Sequence, residues 1–211
     1  MFATEAPAGE RGQAAALVRA MAGAWNVACD DAQVTALSSY ADSLLRWSAR
    51  INLTAARTID QLIADHLPDA FALARRLEQE AETRVVDVGS GGGLPAIPLA
   101  LLCPRLSVEL VEPIAKKAAF LRTAIRDLDL GGRVQVHVAR GEKIASESPR
   151  AFDVAISRAT LAPEKWLALG ARLVRPGGRL FVLAAADALP RLTERDVYFE
   201  GRRALIEVRS T

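Results

Sequence analysis

Residue types able to do chemistry concentrate between Arg84 and Leu99, in RVVDVGSGGGLPAIPL. Asp87 puts a carboxylate two positions ahead of Gly89, in a run that also holds Gly91, Gly92 and Gly93. Without a Cβ, glycine backbone can turn tightly and approach a ligand closely. Val85, Val86 and Val88 are β-branched and read as a buried strand feeding that loop. Pro95 and Pro98 fall in the first turn of the helix that follows, where a missing N–H costs little because no intrahelical acceptor is there to receive it. The free N–H groups and the positive end of that helix then face whatever the loop holds.

The glycine spacing bears on what that ligand is. A dinucleotide fingerprint, G-x-G-x-x-G, asks for glycine where Leu94 stands, whereas Gly89, Gly91 and Gly93 fall as G-x-G-x-G. A negative charge at the strand end, from Asp87, suits a cationic sulfonium and an amino group better than a pyrophosphate. The pattern resembles the first motif of S-adenosylmethionine-dependent methyltransferases. Glu112 lies 19 residues beyond Gly93, where an acid ending the second strand accepts hydrogen bonds from both ribose hydroxyls. A dinucleotide-binding fold would use that residue identically, so the alternative stays open.

The surrounding elements alternate strand and helix, the βαβ pattern of a doubly wound, mostly parallel sheet. Leu106 to Val111 reads as the second strand, Arg133 to Ala139 as the third, Phe152 to Ile156 as the fourth and Arg179 to Ala184 as the fifth. Pro176-Gly177-Gly178 is a turn signal before the fifth, and residues 197–208 read as a closing antiparallel hairpin. Gly141 and Glu142 follow the third strand at the carboxyl edge of the sheet, where a methyltransferase holds adenine through a backbone N–H and an acid. Arg158 follows the fourth and points into the same crevice. There it contacts the cofactor's carboxylate or an RNA phosphate, or forms a structural ion pair with Glu112 or Glu142. Helix Ile114 to Leu128 carries Lys116, Lys117, Arg122 and Arg126, which hold phosphates or form a solvated charged face.

Ahead of the sheet the pattern is helical. Leu17, Met21 and Trp25 make one stripe in a helix over Gln13 to Ala28, and Asp30 or Asp31 caps a second. Thr58 caps a third helix, in which Pro68 marks a kink or a new start. His66 is expected to pack or hydrogen-bond within this cap, with Asp69 one turn away. The expected organisation is a disordered tail over residues 1–12, a helical cap over 13–80 and the sheet domain over 81–211, as one compact unit.

Composition sets the outer limits. The 211 residues, 51% of them hydrophobic, suffice for one sizeable core. No uninterrupted apolar run of membrane-spanning length and no basic-then-apolar leader appears, so a cytoplasmic location is expected, most simply as a monomer. Cys29 and Cys103 are far apart and the histidines number two, so neither a disulfide nor a metal site is expected. A net charge of +2 does not announce a nucleic-acid binder, and any electropositive surface is local. Twenty-three of the 27 basic residues are arginine, a type suited to phosphate and guanine recognition. No nucleophile, base and acid constellation stands out, and the fourth strand lacks the Asn/Asp-Pro-Pro-aromatic run that grips exocyclic amines.

WSARINLTA (47–55), His66-Leu-Pro-Asp69, VVDVGSGGGLPAIPLALL (85–102), Lys116-Lys117, Phe120-Leu121-Arg122, Arg140-Gly141-Glu142 and FDVAISRA (152–159) together resemble the RsmG/GidB family over about residues 30–185. The resemblance implies a Rossmann-like class I methyltransferase fold and S-adenosyl-L-methionine-dependent methylation of a guanine N7 in bacterial 16S ribosomal RNA, naked or in an assembling small subunit. It carries cofactor contacts onto Gly89, Leu94, Gly141, Glu142 and Arg158. Guanine N7 already presents a lone pair, so alignment of sulfur, methyl and nitrogen supplies the rate, helped by an arginine, Arg158, that orients the base. Ala184 and Ala185 stand where the family usually has Lys-Gly, Ala70 stands where it has serine, and the segment before the last hairpin is shorter. The alternatives are a methyltransferase of the same fold acting on a small molecule or protein, a nucleotide-binding oxidoreductase, and a catalytically silent nucleotide-binding domain.

Overall fold

The computed structural model describes residues 8–77, 82–158, 161–185, 196–198 and 203–210. Three helices come first: α1 (Ala8–Trp25), α2 (Asp31–Ser48) and α3 (Ile59–Leu77). The first starts earlier than the sequence suggests, so residues 8–12 of the expected tail are helical, while 1–7 lie outside the described residues. Once an alanine-rich helix has nucleated, each added residue gains a hydrogen bond at little cost. Asp30 caps α2 through a reciprocal capping box with Gln33. Thr58 accepts from the Gln61 N–H at the start of α3, and Pro68 lies buried inside that single continuous helix rather than dividing it.

The sheet comprises β1 (Thr83–Val88), β2 (Leu106–Val111), β3 (Val134–His137), β4 (Phe152–Arg158), β5 (Val174–Ala185), β6 (Asp196–Tyr198) and β7 (Arg203–Arg209). Its order is β3-β2-β1-β4-β5-β7-β6, with β1 to β5 parallel and β7 antiparallel to both neighbours, so the closing hairpin is present. Helices α4 (Ala96–Leu102), α5 (Ala115–Asp127), α6 (Gly141–Glu147) and α7 (Pro163–Leu173) connect the strands. The sequence reading did not anticipate α6, and β3 is shorter than expected by a residue at its start and two at its end.

The expected turn at Pro176-Gly177-Gly178 is instead a bulge inside β5, which begins at Val174. Phe152 pairs with Val174 and Val154 with Arg179, so three extra residues are accommodated on one strand. Gly177 takes a φ of +76° there, and its N–H donates to Ser210. A Pro-Gly-Gly run signals a departure from regular backbone, and neighbouring strands decide whether it reverses the chain or only bulges it.

Two apolar layers cover the sheet. On one face Val85, Val108, Val154, Ile156 and Phe181 pack with α1 to α5. On the other, Val86, Val88, Ala155 and Val182 pack with Trp166, Leu169 and Leu173 of α7 and Ile144 of α6. The three N-terminal helices therefore share a core with the sheet, and their side chains can reach the carboxyl ends of β1 and β4.

Candidate functional site

The carboxyl ends of β1, β2 and β4 bring together Asp87, the glycine loop, Glu112 and Arg158. The loop is hooked to β2 at its start, where the N–H groups of Gly89 and Ser90 both donate to the Val111 carbonyl, at 2.8 and 3.2 Å. Gly91 then donates its N–H to Glu112 Oε2 at 2.9 Å, while Glu112 Oε1 accepts from the Ile114 N–H at 2.8 Å. Both carboxylate oxygens are thus oriented by backbone, and each keeps a further lone pair for a hydroxyl donor. Glycine is needed at 91 and 93 for conformation, since φ is +56° and +82°. Gly93 has a second reason: a Cβ would lie 2.5 Å from Ile97 Cδ1. Around Gly91 the nearest atom to such a Cβ is 3.8 Å away, so its space is open. Leu94 is buried, closing the loop against the core ahead of α4.

Asp87 is the least settled group in the site. It is buried, and its Oδ2 has no hydrogen-bond partner among the described residues. Burial pushes its carboxyl up to about 7, against the opposing pull of Ser90 and Arg158, and Glu112 adds to the rise. An orphaned buried carboxylate costs free energy, which a cationic ligand would offset.

The cap closes over this loop. Tyr40 of α2 donates its hydroxyl to the Gly92 carbonyl at 2.5 Å. A Cβ on Gly92 would stand 2.9 Å from Leu44 and 3.5 Å from Leu53, so α2 and the segment after it press directly on the backbone. Burial raises the Tyr40 phenol well above its ordinary pKa, ahead of the opposing effect of Arg158, so it stays a donor.

Arg158 does not pair with Glu112 or Glu142. Its Nη1 donates to Asp69 Oδ2 and to His66 Nδ1, both at 3.0 Å. Asp69 is 1% exposed and Arg158 19%, so this pair is shielded. His66 Nε2 in turn lies 2.8 Å from Thr54 Oγ1. His66 therefore bonds within the cap, as expected, and also beyond it to β4. The sequence reading missed Tyr40, Thr54 and the reach of His66. Their signal was polar atoms inside otherwise apolar helical stripes, together with the N-L-T and H-L-P-D runs.

Gly141 and Glu142 open α6, with Gly141 buried and Glu142 exposed. Any Cβ at 141 would stand 2.7 Å from Val88 and 3.0 Å from Leu169, so this glycine also lets α6 pack on the sheet. The four basic residues of α5 do not form one cluster. Lys116 and Lys117 lie in its first turn, directly after Glu112, whereas Arg126 is about 15 Å further along and pairs with Asp127 at 2.9 Å. Among the described residues, no group of three or more His, Cys, Asp or Glu could hold a metal ion.

The inserted antiparallel β7 separates this sheet from the 3-2-1-4-5-6 order of dinucleotide-binding folds. The fold is that of the class I, Rossmann-like methyltransferases. Solved structures with the same architecture include a SAM-dependent methyltransferase from Aquifex aeolicus (TM-score 0.57, 15% identity, covering 72% of this chain and 93% of that one). A second is tRNA (m1A58) methyltransferase TrmI from Aquifex aeolicus (TM-score 0.54, 17% identity, 68% of each chain). The chain belongs to the GidB family, rRNA small subunit methyltransferase G, which it matches over residues 33–202. Proteins of that name from Burkholderia ambifaria and Anaeromyxobacter sp. are 35% and 39% identical to it. The first alignment covers 92% of this chain and 87% of the relative, the second 72% and 69%.

Proposed function

We propose that the crevice at the carboxyl ends of β1, β2 and β4 is the active site of a methyltransferase that uses S-adenosyl-L-methionine to methylate a guanine N7 in bacterial 16S ribosomal RNA. Membership of the rRNA small subunit methyltransferase G family supports the substrate class. The single observation carrying the site assignment is Asp87, a buried carboxylate with an unpartnered oxygen beside open glycine backbone.

The residues present fit this cofactor. Asp87 takes its cationic amino end, Gly89, Gly91, Gly93 and Leu94 line its path, Glu112 accepts from the ribose hydroxyls, and Gly141 and Glu142 hold the adenine. When bound, S-adenosylmethionine supplies an activated methyl group on sulfonium sulfur. The protein's part is then alignment. Guanine N7 needs no base to remove a proton, so catalysis asks for a fixed line from sulfur to nitrogen and for exclusion of water. Arg158, held at the end of β4, orients the base or the cofactor's carboxylate through its planar guanidinium. Lys116, Lys117, Arg122 and Arg126 contact RNA phosphates as an unpaired guanine enters. The helices over 13–80 and the sheet over 81–211 work as one unit, as a monomer in the cytoplasm, and no described helix is long and apolar enough to cross a membrane.

Mass spectrometry of ribosomal RNA from a deletion strain tests this. Loss of one 7-methylguanosine from the small-subunit RNA, restored by the wild-type chain and not by Arg158→Ala, is expected. An unchanged 7-methylguanosine inventory would overturn it.

A further inference from the structure

We propose that His66, as a neutral imidazole protonated at Nε2, is a positioning residue that fixes the Arg158 guanidinium in the crevice. The inference deepens the reading of the site above and rests on it.

The geometry leaves one protonation state. Arg158 carries only donors, so the 3.0 Å contact from its Nη1 requires His66 Nδ1 to be the acceptor. With Nδ1 unprotonated, Nε2 carries the hydrogen and donates it to Thr54 Oγ1 at 2.8 Å. The Ala56 N–H also donates to Thr54 Oγ1, at 3.1 Å, which holds the threonine oxygen as an acceptor. A chain of oriented groups thus runs from the segment between α2 and α3, through the imidazole, to the guanidinium on β4. Asp69, one turn further along α3, accepts from the same Nη1 and balances its charge. The two contacts divide the work. Asp69 supplies attraction, and a charged partner alone tolerates several guanidinium orientations. A neutral acceptor at a second angle removes that freedom, and a protonated imidazole there would face a cation with no lone pair to offer. The N-terminal helices in this way set the angle of an arginine that β4 contributes.

Three variants and one spectrum test the inference. Against small-subunit RNA, His66→Leu should lower kcat/KM on the order of 100-fold, the scale of a misplaced reacting group. His66→Asn, whose Oδ1 can stand near the position of Nδ1, should recover most of that loss. Arg158→Ala should be as impaired as His66→Leu combined with it, because the histidine acts only through the arginine. Imidazole 1H–15N spectra of the wild-type chain at neutral pH should show the Nε2–H tautomer, and they decide the matter if His66→Leu does not fold. An Nδ1–H tautomer or an imidazolium overturns the proposal, as does a fully active His66→Leu beside an inactive Arg158→Ala. A fully active Arg158→Ala instead brings down the site assignment itself.

Discussion

Tyr40 and Gly92 are joined by a 2.5 Å hydrogen bond across 52 residues of chain, from a buried phenol on α2 to the backbone of the glycine loop. Four glycines in five positions would otherwise be a costly segment to keep in one conformation, since glycine loses more backbone freedom on ordering than other residues. The bond anchors the loop at its middle. Tyr40→Phe leaves the buried Gly92 carbonyl without that donor, a loss of about 1–3 kcal/mol. A melting temperature lower by several degrees is expected, with weaker S-adenosylhomocysteine binding by calorimetry. Unchanged melting and affinity would mean the loop is held by other contacts.

Gly91 and Gly93 separate ligand space from packing space. Both have positive φ, so alanine at either carries a strain of about 1–2 kcal/mol. At 93 the added Cβ also collides with Ile97 and approaches Leu121, whereas at 91 it enters open space. Gly93→Ala should therefore lose stability first. Gly91→Ala should remain folded, with the larger share of its defect in cofactor affinity. Paired denaturation and calorimetry on the two variants check this, and equal affinity losses at equal stability would sink the assignment of that space to a ligand.

How much of this was legible beforehand follows from the range of the forces involved. Val85 to Gly93 and Leu106 to Glu112 could be read locally, because β-branched runs ending in glycine or an acid carry their own signal. The bulge at Gly177 was not legible, since the same three residues suit a reversal or a bulge until β4 and β7 fix the register. The partners of Arg158 were equally hidden: Asp69 lies 89 residues away and His66 92, and no local pattern reports which of several carboxylates the fold delivers. Glu112, one of the two acids offered as an alternative partner, is instead hydrogen-bonded to the loop backbone.

Asp87 gives the site a pH dependence with a definite sign. Its carboxyl is raised from an ordinary 3.8 to about 7, so the folded chain binds more protons than the unfolded chain between those values. Stability from this group is therefore fully present below about pH 4 and is lost as pH rises toward 7. A cationic ligand needs the opposite state, so binding should strengthen as pH rises through 7 and release a proton. Calorimetry of S-adenosylhomocysteine in buffers of different ionisation enthalpy checks the release. Asp87→Asn should melt higher than wild type at pH 8 and bind the ligand weakly at every pH. A wild-type affinity flat from pH 6 to 8 would contradict the coupling.

The spread of charge along α5 makes a final prediction about RNA. Lys116 and Lys117 sit in the first turn, four and five residues after Glu112 in the chain, while Arg126 is already paired with Asp127. Arg122 and Arg126 border an open cleft of about 350 Å³ with Asp129 and Val136, at the opposite end of the helix. A phosphate contact releases counterions, and each one lost flattens the plot of log affinity against log salt by about 0.7 to 0.9. Lys116→Ala and Lys117→Ala should each reduce that slope by about one contact. Arg126→Ala should reduce it less, because Asp127 already neutralises its charge and competes with a phosphate for the guanidinium. Filter binding of small-subunit RNA across a salt series measures this. Equal slope changes for Lys117 and Arg126 would indicate that RNA follows the whole length of α5, and unchanged slopes for both lysines would move the phosphate path off this helix.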